Sequence, residues 1–412
     1  MSTRNQASAI AHKQSFVPRN QSCSNFSGKS IHQTFYAAQL LLLVGGQIIK
    51  ADIPANINEI SAPWLENVLQ KSAFIAGHID SLTFEVVEGG YTGLNYRLFI
   101  STSEQKALTV FAKFPVGNSY NTKSADNKGR FLELARNEIR FYREIANQSQ
   151  IPIPRCLYSA SGEDNSLLIL EDLGNSRLTD NRHELQENQL SQIAVSMATF
   201  HKHFWGNQRL ESLDWVTTRF AAKRNYEEEI QSFQRASHLF VNQFKSHLSS
   251  DQIHVIGKIA FEYPRLKTAV ASPPLTLTHG DWTSANLIWR ESDNKVYVID
   301  WAGLRKGSYL WDIIKFLDFE MDKKVLDTFL NAYAKTLNGN LTLVEFNDLY
   351  KAFFLAQAWY LCGTIEFIAG IKEEFLHDPG TQWIWEFVNN KKAFSHLYTK
   401  LSEEVQKESG GI

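Results

Sequence analysis

The chain is poor in cysteine. Its three residues, Cys23, Cys156 and Cys362 in 412 positions, are odd in number and far apart, with no C-x-x-C pair. That spacing argues against a zinc site or a dithiol redox motif, and the thiols read as reduced. Charge of one sign is also scarce. Forty-two Lys and Arg stand against 44 Asp and Glu, giving a formal net charge of -2 and a pI near 6.6. There is no broad basic field of the kind that binding through phosphate contacts needs, so nucleic acid drops out as the main partner. The N-terminal region has no long apolar run either. The most apolar stretch near the start, Phe35 to Ile49, is too short for a membrane span, and no stable membrane insertion is expected. Neither a repeat nor a low-complexity tract stands out.

The first fifty residues lack acid altogether: Arg4, Lys13, Arg19, Lys29 and Lys50 face no Asp or Glu, and Ser is frequent. Three readings stay open for this segment: a signal-type segment, a transit peptide, or a plain extension that is disordered or lies upstream of the true start. Residues 1–60 are therefore set apart as an N-terminal extension.

What is present fits a cleft enzyme. A chain of 412 residues exceeds what one hydrophobic core normally supports, so two lobes are the default. Aromatics run high at 12%, with ten Trp. The globular pattern begins near Ser61, where Pro63 precedes Trp64, Leu65, Val68 and Leu69 at helical spacing. Strand-like segments follow at Leu82 to Val87, Tyr96 to Ser101 and Leu108 to Phe114, which read as an antiparallel sheet. A helical period covers Phe131 to Ile145, Pro152 and Pro154 end it, and a further strand spans Ser166 to Leu170. Beyond Gly174 the chain turns helical: Leu190, Ile193, Ala194, Met197, Ala198 and His201 form a stripe, and Glu227 to Leu248, Val325 to Leu337 and Phe346 to Ala369 look similar. The expectation is an α+β, two-lobed fold, with a small lobe at 61–173 and a larger, mostly helical lobe at 174–412.

The most informative stretch runs from Leu275 through His279, Gly280, Asp281 and Asn286 to Asp300 and Trp301. Its spacing is H-x-D-x-x-x-x-N, followed by an Asp after the short apolar strand Val296 to Ile299. In a kinase catalytic loop the Asp meets the attacking hydroxyl, the Asn turns back toward a metal ion, and the strand-borne Asp holds Mg²⁺ between the phosphates of ATP. Asp281 is thus the candidate base, and Asn286 and Asp300 are the candidate metal ligands. Upstream, Gly89, Gly90, Thr92 and Gly93 sit in a Gly-rich turn between two strands, where backbone N–H groups could approach phosphates. Lys113 follows in the next strand as the candidate phosphate-binding lysine, and Glu138 on the next helix as its ion-pair partner, with Glu144 as an alternative. Glu171 and Leu173 lie in a stretch, Leu168 to Gly174, that by its order and its resemblance to a kinase hinge is the candidate for the segment whose backbone receives the adenine edge.

The H-G-D-x-x-x-x-N loop with I-D-W at Ile299 to Trp301 resembles the aminoglycoside phosphotransferase and choline kinase-like superfamily. The E-x-x-F-Y pattern from Glu138 to Tyr142 resembles that of the same superfamily and implies a protein-kinase-like version of the two-lobed α+β fold, while the run Ala198 to Trp205 and Ile299 to Trp301 through Gly307 to Asp312 resemble its choline kinase-like, ecdysteroid kinase-like branch. Trp282, directly after Asp281, departs from relatives that carry Trp one position later. The resemblance implies an ATP- and Mg²⁺-dependent phosphotransferase acting on a small-molecule hydroxyl, with Asp312 bracing the catalytic loop and His201 packed rather than catalytic. The need for ATP implies a cytoplasmic enzyme.

Two other functions compete. A protein kinase needs a peptide platform after Asp300, and only Trp301 to Ser308 separates that residue from the next helical segment, with no A-P-E triplet. A non-catalytic nucleotide-binding module would lack a base or metal ligand, whereas Lys113, Asp281, Asn286 and Asp300 are all present. For the acceptor, Trp359, Tyr360, Phe367, Trp383 and Trp385 are candidate cage residues for a choline-like cation. Core packing explains them equally well.

Overall fold

The structure is a computed structural model. It describes residues 53–87, 93–104, 107–115, 125–163, 165–179, 181–206, 208–218, 226–271, 274–318, 322–339, 343–371 and 382–391, with short pieces at 41–44 and 47–50 and scattered positions from 376 to 399. The chain divides into two units, Met1–Asp52 and Ile53–Ile412. In the first, β1 (Leu41–Val44) and β2 (Gln47–Lys50) pair as an antiparallel hairpin. Everything below concerns the second.

Helix α1 (Ala62–Lys71) opens with Pro63 in its first turn and the Ser61 hydroxyl accepting from the Trp64 N–H. Both devices satisfy or remove otherwise orphaned amide donors. Its apolar side, Leu65, Val68 and Leu69, joins Ile57 and Ile60 in a core laid on one face of the sheet. That sheet has five antiparallel strands, β3 (Ile79–Val87), β4 (Gly93–Thr102), β5 (Leu108–Pro115), β6 (Cys156–Ser161) and β7 (Ser166–Glu171), in the order β3-β4-β5-β7-β6.

The period-two alternation of β7 marks the division between the lobes. Leu167 and Ile169 pack into the core shared with α1, while Leu168 and Leu170 belong to the much larger second core. Each fully buried aliphatic side chain contributes roughly 1.5–3 kcal/mol of transfer free energy, so the two faces hold this strand firmly between the lobes.

Helix α2 (Ala125–Arg140) ends in a five-residue π-helical turn, Phe141–Ile145. The wider turn directs the adjacent rings Phe141 and Tyr142 both inward. Phe141 stacks on Trp301 at 3.9 Å with an interplanar angle of 7°. This contact ties α2 to the segment carrying Asp300, and such turns recur at functional sites.

The larger lobe comprises α3 (Glu187–Phe204), α4 (Arg209–Ser212), α5 (Tyr226–Phe244), α6 (Ser250–Ala271), α7 (Leu310–Leu317), α8 (Lys323–Asn338), α9 (Leu343–Ala369) and α10 (Gln382–Asn389). Two small antiparallel pairs interrupt the helices: β8 (Leu275–Thr278) with β11 (Arg305–Ser308), and β9 (Leu287–Arg290) with β10 (Lys295–Val298). The architecture is the expected α+β arrangement. Within α9, Asn347–Ala369 is long and apolar enough by composition to cross a membrane. Phe353, Ala356, Leu361, Cys362 and Ile365 of that stretch are nonetheless part of the larger core.

Candidate active site

The loop after β8 is built around Asp312, a fully buried side chain on α7. Its Oδ2 accepts from the His279 backbone N–H at 2.7 Å, and its Oδ1 accepts from the Gly280 N–H at 2.9 Å. His201 on α3 supports the same carboxyl through Nε2 at 3.1 Å, and its Nδ1 meets the Tyr333 hydroxyl at 2.8 Å. His201 is therefore packed and hydrogen-bonded, not aimed at the cleft. The Trp311 indole N–H donates to the Gly280 carbonyl at 2.8 Å.

Gly280 has φ +86, and a Cβ there would collide with the Gly303 carbonyl oxygen. Only glycine satisfies both constraints. The His279 ring accepts the Asp281 N–H at Nδ1, 3.2 Å, and its Nε2 lies 2.9 Å from the Ile299 carbonyl. That pair of partners assigns the proton to Nε2 and joins the loop to the strand leading to Asp300.

Asn286 closes the loop by donating through Nδ2 to the Asp281 carbonyl at 2.8 Å and to Asp281 Oδ2 at 3.0 Å. These bonds orient the amide so that its Oδ1, an acceptor oxygen, is left free of Asp281. The Ile299 N–H donates to the Asn286 carbonyl at 3.0 Å, which holds the Asn286 and Asp300 positions together. Asp300 itself has φ 63, a left-handed conformation uncommon for a non-glycine residue and characteristic of constrained sites.

From the small lobe, Lys113 on β5 reaches Glu138 Oε2 on α2 at 2.6 Å and Asp300 Oδ1 at 3.5 Å. Burial alone would push the Lys113 ammonium down, but the adjacent Asp300 and Glu138 carboxylates outweigh it and hold it above its ordinary value. Burial likewise acts to raise Asp300, yet Lys113 and His279 bring it below the usual carboxylate range. Glu138 goes the other way: burial raises it more than Lys113 lowers it.

Lys113, Glu138, Glu171, Leu173, Asp281, Asn286 and Asp300 all border one cleft of about 570 Å³ between the lobes. At the hinge the Glu171 side chain is engaged by Arg290 at 2.7 Å and by the Arg155 N–H at 3.2 Å. No hydrogen bond from a described residue reaches the Leu173 backbone. Gly93 opens β4, where a Cβ would collide with the Phe114 carbonyl. Gly89, Gly90 and Thr92 lie outside the described residues.

Two features of the site escaped sequence reasoning. Arg97 on β4, 8% exposed, forks onto Asp172 at 2.6 and 3.2 Å and onto Asn175 at 2.7 Å, fastening the sheet to the hinge. Burial would raise the Asp172 carboxyl, but the Arg97 guanidinium holds it below its ordinary value. Lys315 on α7 reaches Asp281 Oδ1 at 3.1 Å. Both are single charged residues far in sequence from their partners, and no local pattern marks them.

Among the described residues no cluster of three or more His, Cys, Asp or Glu side chains is arranged to hold a metal ion. Asp300 brings a carboxylate to the cleft and Asn286 an amide oxygen, beside the carboxyl groups of Glu138, Glu171, Asp172 and Asp281. A hard-oxygen pair suits Mg²⁺, which keeps waters and binds nucleotide phosphates alongside one or two protein oxygens.

A second cavity of about 560 Å³ lies in the large lobe, walled by Trp311, Trp359, Tyr360, Phe367 and Trp383, with Asp318 and Glu386 also at its lining. Four of the five aromatic residues singled out in the sequence line it. The fifth, Trp385, instead packs on Phe244 and His247 and donates its indole N–H to the Leu376 carbonyl.

Residues 83–344 match the model of the phosphotransferase enzyme family, which spans more than half of the chain. The chain belongs to that family. No curated protein matches it. Among solved structures, the GDP complex of an aminoglycoside 2'-phosphotransferase-IIIa point mutant is 13% identical with a TM-score of 0.51, covering 82% of this chain and 96% of the other. The gentamicin complex of APH(2")-IIa is 18% identical over 83% of this chain and 96% of the other, with a TM-score of 0.44. The macrolide 2'-phosphotransferase MphH from Brachybacterium faecium is 13% identical over 79% and 98%, with a TM-score of 0.43. At these identities the first of them bears on the fold alone, which it shares with this member of the phosphotransferase family.

Proposed function

We propose that the chain transfers the terminal phosphoryl group of ATP, with Mg²⁺, to a hydroxyl group of a small molecule. The observation that carries this reading is the convergence of Lys113, Asp281, Asn286 and Asp300 on one interlobe cleft beside the hinge. Glu138 holds Lys113 toward the phosphates, and the Leu173 backbone is available to the adenine edge. The Gly-rich segment with Gly89, Gly90, Thr92 and Gly93 is assigned to the phosphates by its place in the chain after β3.

Asp300 and Asn286 Oδ1 would hold the Mg²⁺, which supplies neutralisation of phosphate charge. Asp281 orients the acceptor hydroxyl and takes its proton. A lone pair of the hydroxyl oxygen forms the new bond to phosphorus as the bond to the bridging oxygen breaks, and ADP leaves with that electron pair. The residues contribute chiefly by position and by fixed charge.

We assign nucleotide binding to residues 61–173 and the catalytic loop and acceptor pocket to 174–412. The aromatic cavity adjoins the catalytic loop through Trp311 and Lys315, so it is the acceptor subsite in this reading. A small acceptor is favoured over a peptide. After Asp300 the chain makes one turn, Trp301–Gly303, then β11 pairs with β8 and α7 begins at Leu310, which leaves no segment to hold an extended peptide. The motifs at Ala198 to Trp205 and Ile299 to Asp312 favour the choline kinase-like and ecdysteroid kinase-like branch, and the need for ATP favours the cytosol.

The test is ADP release by the purified chain with Mg·ATP across a panel of hydroxyl compounds, from amino alcohols to apolar multi-ring alcohols. Acceptor-dependent ADP formation is expected, and D281N should lower its rate by roughly 10² or more while Mg·ATP affinity stays within a few fold. Turnover in D281N equal to the parent removes Asp281 from the mechanism.

A further inference from the structure

Lys315 occupies a place that packing alone does not explain. Its neighbours on α7, Ile313, Ile314, Phe316 and Leu317, are all buried in the larger core. Trp311, Lys315 and Asp318 follow one another at i, i+4 and i+7, so they share a helical face. Trp311 and Asp318 line the aromatic cavity, and the Lys315 ammonium lies 6.0 Å from the ring of Tyr360, another wall of it. The same ammonium lies 3.1 Å from Asp281 Oδ1. Lys315 therefore stands where the cavity meets the catalytic carboxylate.

Stability is a poor reason for this arrangement. The lysine side chain is 22% exposed but that of Asp281 is 52% exposed. A pair with one half-exposed partner is screened by water and contributes about 0–1 kcal/mol, while desolvating the ammonium opposes folding. Burial would lower the Lys315 ammonium, but Tyr360, Asp281 and Asp318 together keep it above its ordinary value. What the contact does is fix a carboxylate that would otherwise rotate. Asn286 holds Oδ2 at 3.0 Å and Lys315 holds Oδ1, and each carboxylate oxygen can accept a further hydrogen bond.

We propose that Lys315 is a positioning residue for phosphoryl transfer, clamping Asp281 so that the remaining lone pair of Oδ1 meets the hydroxyl arriving from the aromatic cavity. The proposal rests on the function stated above. It accounts for a cation placed on a core-facing helix, and it links the acceptor subsite to the base through one side chain.

The experiment measures ADP release from Mg·ATP by the full chain, with water as the acceptor and again with the hydroxyl panel, alongside thermal melts. K315M should lower kcat by roughly 10- to 100-fold, the scale of a misplaced catalytic group, with the KM for ATP within about threefold. K315R should recover most of the rate. In the D281N background K315M should cost less than about threefold more, because its effect passes through the Asp281 carboxylate. A purely structural lysine would instead lower the melting temperature and raise KM. K315Q, of similar length and uncharged, replaces K315M if the latter does not fold. Parent-like kcat in the uncharged variant overturns the proposal, as does an undiminished loss in the D281N background, which would mean that Lys315 acts on the phosphoryl group itself. Absence of Mg·ATP turnover in the parent protein overturns the underlying function, and this inference falls with it. Turnover in the parent with an indifferent Lys315 removes only the inference.

Discussion

Removing the Asp312 carboxyl tests how the catalytic loop is held. In D312A the backbone N–H groups of His279 and Gly280 and the ring N–H side of His201 lose their acceptor in a site with no exposed surface. An unsatisfied buried donor costs about 1–3 kcal/mol, so three of them with partial relaxation cost about 3–6 kcal/mol. For a chain of 412 residues each kcal/mol moves the melting temperature by about 1–2 °C, and the variant should melt about 3–12 °C lower. D312N is the sharper probe because it keeps volume. Its amide supplies one acceptor oxygen but turns an NH₂ group toward another donor, so an intermediate loss of about 1–3 kcal/mol is expected. Circular dichroism melts give the stability, and ADP release below the transition gives the activity. Both variants should lose activity at temperatures where they remain folded, because the loop that carries Asp281 is no longer fixed. A D312A protein melting within a degree of the parent would refute the reasoning, since no such network could then be contributing.

Further consequences follow from the cleft. D300A should abolish Mg²⁺-dependent ATP binding and turnover together; calorimetric titration with and without Mg²⁺ reads the first, and unchanged Mg·ATP affinity contradicts the assignment. K113A and E138A should each lower kcat, while the double variant should lose far less than the product of the two, as for residues sharing one task; multiplicative losses in the three rates would assign them separate roles. G280A should be inactive and less stable by roughly 1–3 kcal/mol, from positive φ and the collision with the Gly303 carbonyl; a stable and active G280A would show that the loop has another conformation to adopt.

The loop from His279 to Asp300 was legible because its chemistry is local. Asp281, Asn286 and Asp300 fall within 20 positions, and their spacing reflects one turn and one hairpin. The strands from Leu82 to Phe114 and the helices with clear stripes were legible for the same reason. Strand β6 was not, since Cys-Leu-Tyr-Ser-Ala-Ser contains no β-branched residue and sits at the edge of the sheet. Helix α6 escaped notice as well, and it accommodates Pro264 in its interior. Arg97 against Asp172 and Lys315 against Asp281 depend on which elements the tertiary fold brings together, 75 and 34 positions apart, and no periodicity encodes such a meeting. Phe141 over Trp301 is the same kind of case: the π-helical turn that makes the stacking possible has no sequence signature of its own.

The charges in the cleft explain why a divalent cation belongs to the reaction. Arg97 is already engaged by Asp172 and Glu85, and Arg290 by Glu171 and Asp293. Lys315 is held on Asp281, and Lys113 lies between Glu138 and Asp300. Of the cations that line the cleft, Arg97 and Lys113 thus have carboxylate partners before any nucleotide arrives, while Arg177 donates to the Ala285 carbonyl. The raised Lys113 and lowered Asp300 values keep both groups charged at neutral pH, so a polyphosphate approaching Lys113 also approaches the Asp300 carboxylate. At such short range in a partly buried site that repulsion is substantial. If Asp300 and Asn286 hold a cation, as proposed above, the same carboxylate would support the phosphates instead of opposing them. Lys113 alone, already neutralised by Glu138, cannot supply this. On the proposed function, this network would make productive nucleotide binding depend on the metal through Asp300.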